Sequence, residues 1–395
     1  MKNHTRQANV WVLASIVFAQ FAGTSLWFAG NAILPELQKA YHFPENTLSH
    51  ITTAVQLGFI VGTLIYAIFS IADRFSPSKV FFISALAGAI CNVSILFIQI
   101  TLPLLITFRF LTGVFLAGIY PVGMKIAADW YEKGLGKALG FLVGALVLGT
   151  AFPHLLNSMH TVLNWQHVLI SVSLFAISGG ILILILRDGP FRKKGSKFNP
   201  KAIFKIFSYV NFRKSAFGYF GHMWELYTFW AFLPWLLKLY GDTNNEYINI
   251  SLCSFIIIGI GFFSCILGGL LSLKKGSYYV AKNSLSISGL CCLLSPIVLI
   301  LPFWLMISFL LIWSFFVISD SPQFSSLVAA SAPKEITGTA LTIVNSTGFT
   351  ISIISIQLLG FLSSIDMIQP YLFLALLPGP ILGLLSIRSL NISSS

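Results

Sequence analysis

No part of this chain lies far from a long apolar run, and that leaves few folds open to it. Twelve such runs, of about 19 to 26 residues each, follow one another at roughly 10–34, 48–72, 78–98, 103–127, 135–158, 166–186, 215–238, 248–272, 279–300, 303–327, 337–362 and 370–388. Short turns rich in Pro, Gly and charge separate them. At ~1.5 Å per residue each run is long enough to cross a hydrocarbon layer ~30 Å thick as a helix. A helix also satisfies its own backbone groups where no water can. The runs consume nearly all 395 residues, so a separate soluble catalytic domain does not fit. A composition that is 56% hydrophobic and 9% charged lies outside the range of soluble globular proteins. The expected fold class is all-α integral membrane, with twelve transmembrane helices. The first run reads as the first span and not as a cleaved leader, because it is too long, lacks a clean cleavage site and is followed by many more spans.

The net charge of +12 would suggest nucleic acid if it formed a patch, but it does not. Of the 24 Lys and Arg residues, 21 sit beside alternate ends of the spans, on the side that also holds the N-terminus. Lys39 and Lys238 lie on the other side, and Arg109 is within span four. By the positive-inside rule both chain ends are expected on the cytoplasmic side of the cell (inner) membrane. The longest loop divides the chain into an N-terminal six-helix half, 1–186, a cytoplasmic linker, 187–214, and a C-terminal six-helix half, 215–395. In the linker Ile203, Ile206, Phe207 and Val210 recur at helical spacing, flanked by Lys201, Lys205, Arg213 and Lys214. That pattern predicts an interfacial helix on the inner leaflet. Cys91, Cys253, Cys265, Cys291 and Cys292 all fall within apolar runs, without disulfide or metal-type spacing. No cofactor and no metal are expected.

The two halves carry a weak repeat. Phe18–Pro35 aligns without gaps on Phe217–Pro234 at an offset of 199, and Gly136–Gly140 on Gly338–Thr342 at an offset of 202. Such symmetry marks transporters built from two parallel six-helix halves. Asp73-Arg74-Phe75-Ser76-Pro77-Ser78-Lys79, between spans two and three, resembles the cytoplasmic signature of the major facilitator superfamily, with Phe69 and Ser76 where glycine is usual. Arg109-Phe-Leu-Thr-Gly113 resembles that family's arginine motif. Gly140, Gly144, Gly149 and Pro153 in span five resemble its glycine-rich motif without the usual Gly-Pro pair. The resemblance covers the whole chain. It implies two lobes, a cavity lined by the first, fourth, seventh and tenth helices, and a rocking, alternating-access cycle. The nearest look is to the nitrate/nitrite and cyanate-type porters. Nitrate porters read their anion with arginines in spans two and eight, and this chain has none there, which argues against nitrate.

Few ionisable residues are expected at bilayer depth, where they are costly and usually functional. Glu225 lies about ten residues into span seven, near the midplane, where a carboxyl can load and release a proton as a cavity opens. The bland reading is a charge neutralised by a neighbour; His222, one turn away on the same face, is the candidate for it, and is itself weighed for a substrate or coupling role against merely orienting Glu225. Arg109 is expected about 9 Å below one end of span four. It suits an anionic substrate or, equally, a lock onto backbone carbonyls. Asp320 precedes Pro322, which should break span ten, so its carboxyl serves either a gate or the freed backbone groups. Lys125 reads as a snorkelling basic residue. Gln20, Trp27, Asn31, Gln56, Trp224, Tyr227 and Trp230 would supply an aromatic, sparsely polar lining suited to a small organic solute. The alternative for the aromatics is interfacial anchoring. Gly58/Gly62 and Gly140/Gly144 have the spacing of close helix packing. Asp73, Arg74, Gly113, Gly140 and Gly144 are the candidates for conformational motifs.

These features predict a secondary active transporter and no enzyme. The expected action is proton-coupled uptake of a small organic solute by a monomer in the lipid bilayer, without nucleic acid; one buried Arg with buried acids suits an anionic or zwitterionic nutrient. Two other readings remain open: proton-antiport efflux of drugs or metabolites, and a non-transporting membrane sensor or scaffold.

Overall fold

A computed structural model describes residues 10–131, 135–159, 163–192, 206–333 and 336–390. Among these, regular structure is helical throughout. Ten segments combine the length and apolarity needed to cross a membrane. The other two spans are the first, whose apolar helix ends at Thr24, and the seventh, Val210–Asn244, whose 35 residues reach ~52 Å. Span seven thus begins at Val210, five residues before its expected start, and absorbs Arg213 and Lys214 of the predicted interfacial helix. The N-terminal part of that prediction, with Lys201, Ile203 and Lys205, lies outside the described residues.

The helices start where local chemistry supplies a cap. Ser76 precedes Pro77 and accepts from the Lys79 amide. Asn164 and His167 form a reciprocal capping box at the start of span six. Asn249 accepts from the Leu252 amide at 3.0 Å to open span eight. Gly276, at φ +82°, closes span eight in a conformation that side chains resist.

Several spans are broken, and the breaks fall by rule. Span four is Leu102–Leu116 followed by Tyr120–Trp130, with Pro121 just inside the second piece. Span ten is Phe303–Ser319 followed by Ser321–Ser331, with Pro322 in the same place. Leu102 and Tyr120 each have their counterpart 201 positions later, at Phe303 and Ser321. Span one behaves differently from its counterpart. Its helix stops at Thr24, resumes as Ala29–Ala32 and again as Leu34–Tyr41, whereas span seven runs unbroken.

Spans one to six and seven to twelve form two lobes, each with a buried apolar interior and an outer face of exposed Leu, Ile and Phe. Within the first lobe, spans two and four meet backbone to backbone. A Cβ added at Gly58 would lie 1.9 Å from the Phe110 carbonyl oxygen, and one at Gly113 2.0 Å from that of Val55. Between the lobes, span two packs on span eleven and span five on span eight. Gly144 takes part, since its Cβ would meet Phe262 of span eight at 3.0 Å. Gly140 does not: nothing lies within 4 Å of where its Cβ would be, so its predicted packing role is withdrawn.

Candidate functional site

The buried charges are held inside the lobes, each in its own way. Glu225, fully buried in span seven, is met by three neutral donors. The Trp313 indole of span ten donates to Oε1 at 2.7 Å, and the Cys292 thiol of span nine to the same oxygen at 3.2 Å. The Ser288 hydroxyl, one turn from Cys292, donates to Oε2 at 3.0 Å. No cation neutralises this carboxyl among the described residues. His222, expected to be its neighbour, instead brings Nδ1 to 2.8 Å from Asp320 Oδ1 of span ten. One helical turn does place His222 and Glu225 on the same side of span seven, but that side faces two different parts of its neighbours. Asp320 sits at the break of span ten, and neither His222 Nε2 nor Asp320 Oδ2 has a hydrogen-bond partner among the described residues.

Arg109 takes the other course weighed for it. Its guanidinium donates to the carbonyl oxygen of Leu26 at 3.0 Å, to that of Trp27, and to Asn92 Oδ1 of span three at 3.3 Å. Leu26 and Trp27 lie in the break of span one, where carbonyls have lost their helical partners. The arginine therefore replaces the missing backbone donors. Gly30 makes room for it, since a Cβ there would stand 2.9 Å from Nε.

Where the lobes meet, four rings from four spans interlock. Trp27 lies 4.8 Å from Phe59, 5.7 Å from Tyr227 and 5.6 Å from Phe349, measured between ring centroids. Tyr227 also contacts Trp230 edge-on at 5.6 Å. One turn away, Ser352 of span eleven donates to Gln56 Oε1 of span two at 3.0 Å. Beyond it Gln357 donates to Thr53 Oγ1 at 2.6 Å and to the Ser49 carbonyl oxygen at 3.2 Å. On the other seam Asn157 of span five donates to Ser251 of span eight at 3.2 Å and to Glu36 at 3.0 Å. These layers close the path between the lobes from the face bearing residues 36–49 down to mid-depth. Sequence reasoning found Gln56, Trp27 and Tyr227 but missed Phe59, Phe349, Ser352, Gln357 and Asn157, which carry no local signal beyond polarity or bulk.

Two other expectations change. Asn31 donates to Thr52 at 2.7 Å, a contact within the first lobe. Trp224 is half-buried against span twelve, donating to the Ala375 carbonyl oxygen at 2.9 Å, so it belongs to lobe packing and not to a shared cavity.

On the face that carries both ends of the described chain, a crevice of about 250 Å³ opens between spans two, four and eleven. Thr63, Tyr66, Val122, Thr339 and Thr342 line it, and Thr63 lies one turn from Phe59. Asp73 and Lys125 at its mouth form an ion pair, which gives Lys125 a partner that snorkelling did not foresee. Arg74 is exposed. Arg192 bonds to the carbonyl oxygen of Phe75 at 2.7 Å, and Asp188 takes the Ser78 amide at 3.0 Å together with the Ser76 and Ser78 hydroxyls. Burial alone would push the Asp188 carboxyl up, but these bonds and nearby Arg192 hold it below its ordinary range. A lateral crevice of about 370 Å³ lies elsewhere, lined by His50, Leu57, Phe110 and Gln357.

Comparison with known proteins agrees with this architecture. The family model for the Major Facilitator Superfamily matches residues 16–356. A bacterial homolog of the human lysosomal transporter Spinster, in an inward-facing and unoccupied conformation, superposes with a TM-score of 0.68 over 98% of this chain and 95% of that one, at 14% identity. The proton:xylose symporter XylE, bound to 6-bromo-6-deoxy-D-glucose, does so with a TM-score of 0.75 over 97% of each chain, also at 14% identity. Among curated proteins, an uncharacterized transporter, C757.13, of Schizosaccharomyces pombe is 25% identical over 166 residues, spanning 39% of this chain and 30% of that protein.

Proposed function

The chain belongs to the major facilitator superfamily, and from that premise we propose that it is a proton-coupled secondary transporter taking up a small organic solute by alternating access. The observation that carries this reading is the setting of Glu225. A carboxyl met only by neutral donors can exchange a proton without breaking an ion pair, and the donors can rotate or withdraw as span seven moves against spans nine and ten. His222 and Asp320 offer a second ionisable pair on the same span-seven face. A protein of the same fold is a proton:xylose symporter, and that likeness supports uptake. Lobes at 1–186 and 215–395, joined by a cytoplasmic linker, both ends in the cytoplasm of a cell with this inner membrane, and action as a monomer complete the proposal. Its place nearest the nitrate/nitrite and cyanate-type porters rests on motif resemblance alone.

Efflux of a lipophilic cation finds less support, because Glu225 and Asp320 are engaged within the second lobe and do not line the interface. The test is flux into proteoliposomes across a panel of radiolabelled solutes under an imposed proton gradient. Wild type should accumulate its solute only when the gradient points inward. Glu225→Gln should retain solute exchange but lose gradient-driven accumulation, since an amide keeps an acceptor oxygen for Trp313 and Cys292, can donate to the Ser288 hydroxyl, and cannot carry a proton. Accumulation that ignores the gradient, or extrusion against it, would overturn the proposal.

A further inference from the structure

The lobe interface also constrains the charge and shape of the solute, an inference that rests on the transport reading above. We propose that the solute is an uncharged molecule with a ring face and hydrogen-bond acceptors, received by Trp27, Gln56, Tyr227 and Trp230.

Three observations converge on it. The first is where the buried charges are not. Arg109 is committed to the Leu26 and Trp27 carbonyls, Glu225 to Ser288, Cys292 and Trp313, and Asp320 to His222. Each of the three charges has partners within its own lobe, and the open atoms, His222 Nε2 and Asp320 Oδ2, are fully buried beside each other in the second lobe. An ion placed between the lobes would lose its hydration without a counter-charge, which strongly disfavours it.

The second is which polar groups are unpaired there. The indole nitrogens of Trp27 and Trp230 are buried and have no acceptor among the described residues. An indole N–H can only donate. The Gln56 amide, whose oxygen accepts from Ser352, keeps its nitrogen unpaired. Buried donors without acceptors are rare in folded proteins and costly, so they point to a ligand that brings the acceptors. Both indoles contact the Tyr227 ring, which gathers them around one aromatic surface. Flat or ring-shaped solutes stack on such faces.

The third is the approach. The crevice that leads toward these rings from the other face has Thr63, Tyr66, Thr339 and Thr342 on its walls, and its two charged lining residues, Asp73 and Lys125, are paired with each other. A solute entering or leaving there passes hydroxyls and apolar groups, with no net charge to steer an ion.

The test is binding to the purified full-length protein at one fixed pH, read by ligand-induced shift in melting temperature and confirmed by calorimetry. The probes are sets that vary charge on a common ring: glucose, glucuronate and glucosamine, and nicotinamide, nicotinate and 1-methylnicotinamide. Binding is expected within the neutral members, with the charged members at least tenfold weaker. Trp27→Phe keeps the stacking and removes the N–H, and Gln56→Met removes the amide. Each should weaken the neutral hit about fivefold to tenfold, the worth of one hydrogen bond, while the ligand-free melting temperature reports whether the variant has folded. Preferred binding of an anion or a cation would overturn the inference, as would a neutral hit indifferent to both substitutions, or no hit in either set. Because pH is fixed, proton coupling does not enter. A neutral solute whose flux ignores the proton gradient would sink the transport proposal alone, and a charged solute driven by the gradient would sink this one alone.

Discussion

The same corner of the fold is built twice and used in opposite ways. In the first lobe, spans one, three and four meet around Arg109, a permanent cation whose partners are backbone carbonyls and the Asn92 amide oxygen. In the second lobe, spans seven, nine and ten meet around Glu225, a titratable acid whose partners are a hydroxyl, a thiol and an indole. By the offset of the repeat, Glu225 stands where Leu26 stands in the first lobe, and Leu310 stands where Arg109 does. Span one is broken at this corner and span seven is not. The break and the arginine go together: freed carbonyls need a donor, and a guanidinium supplies several in one plane. An unbroken helix leaves no such debt, so the second lobe is free to place an acid there. A duplicated fold can thus keep one copy as a fixed clamp and make the other responsive to protons.

The sharpest way to break this comparison is to remove the arginine. Arg109→Ala leaves two buried carbonyls and Asn92 unsatisfied and should cost about 3–5 kcal/mol, enough to prevent recovery of folded protein. Arg109→Lys, which reaches one carbonyl at a time, should recover part of that. If the alanine variant melts like wild type in detergent, Arg109 is not a clamp. Glu225→Gln should behave in the contrary manner, keeping stability within ~1 kcal/mol of wild type because the amide preserves shape and acceptor oxygen. A large loss of melting temperature there would make Glu225 a structural residue too, and the lobes would no longer differ in kind. Another small effect concerns Asp188, which ties the start of span three to the end of span six within the first lobe. Asp188→Asn should lower stability by ~1 kcal/mol at neutral pH. Because the folded carboxyl lies below its ordinary range, this contribution is fully present above the unfolded value of about 3.9 and fades as pH falls through the folded one. The gap between wild type and variant should therefore be constant above about pH 5 and narrow below about pH 4. A gap that widens in acid would have the sign wrong.

The spans and the burial of Glu225 could be read in the sequence because both follow from runs and counts along one helix. Partners could not. Periodicity says that His222 and Glu225 share a face of span seven, but not that Asp320 of span ten takes one and Trp313 of the same span takes the other. Trp224 lies at the right depth for a cavity, yet a single residue step of ~100° turns it from Glu225 toward span twelve. The break in span one had no proline at Ser25–Phe28 to announce it, so the purpose of Arg109 could be weighed but not decided. Gly140 and Gly144 have the spacing that usually means contact, and only one of them makes it, because spacing fixes a face of the helix but not the neighbour.

The matched breaks of spans four and ten make each of these spans two rods instead of one. The pieces next to the chain-end face, Tyr120–Trp130 and Ser321–Ser331, have 11 residues each, or ~16 Å of helix. Each has a proline as its second residue, with no amide hydrogen to bond back to the piece above. A short rod held to the longer one at a joint of turn bonds can tilt without bending the rod that holds Arg109 or Trp313. The chain-end side of the molecule can therefore change shape while the buried clusters above keep their geometry, much as a door leaf swings without moving the frame on which it hangs.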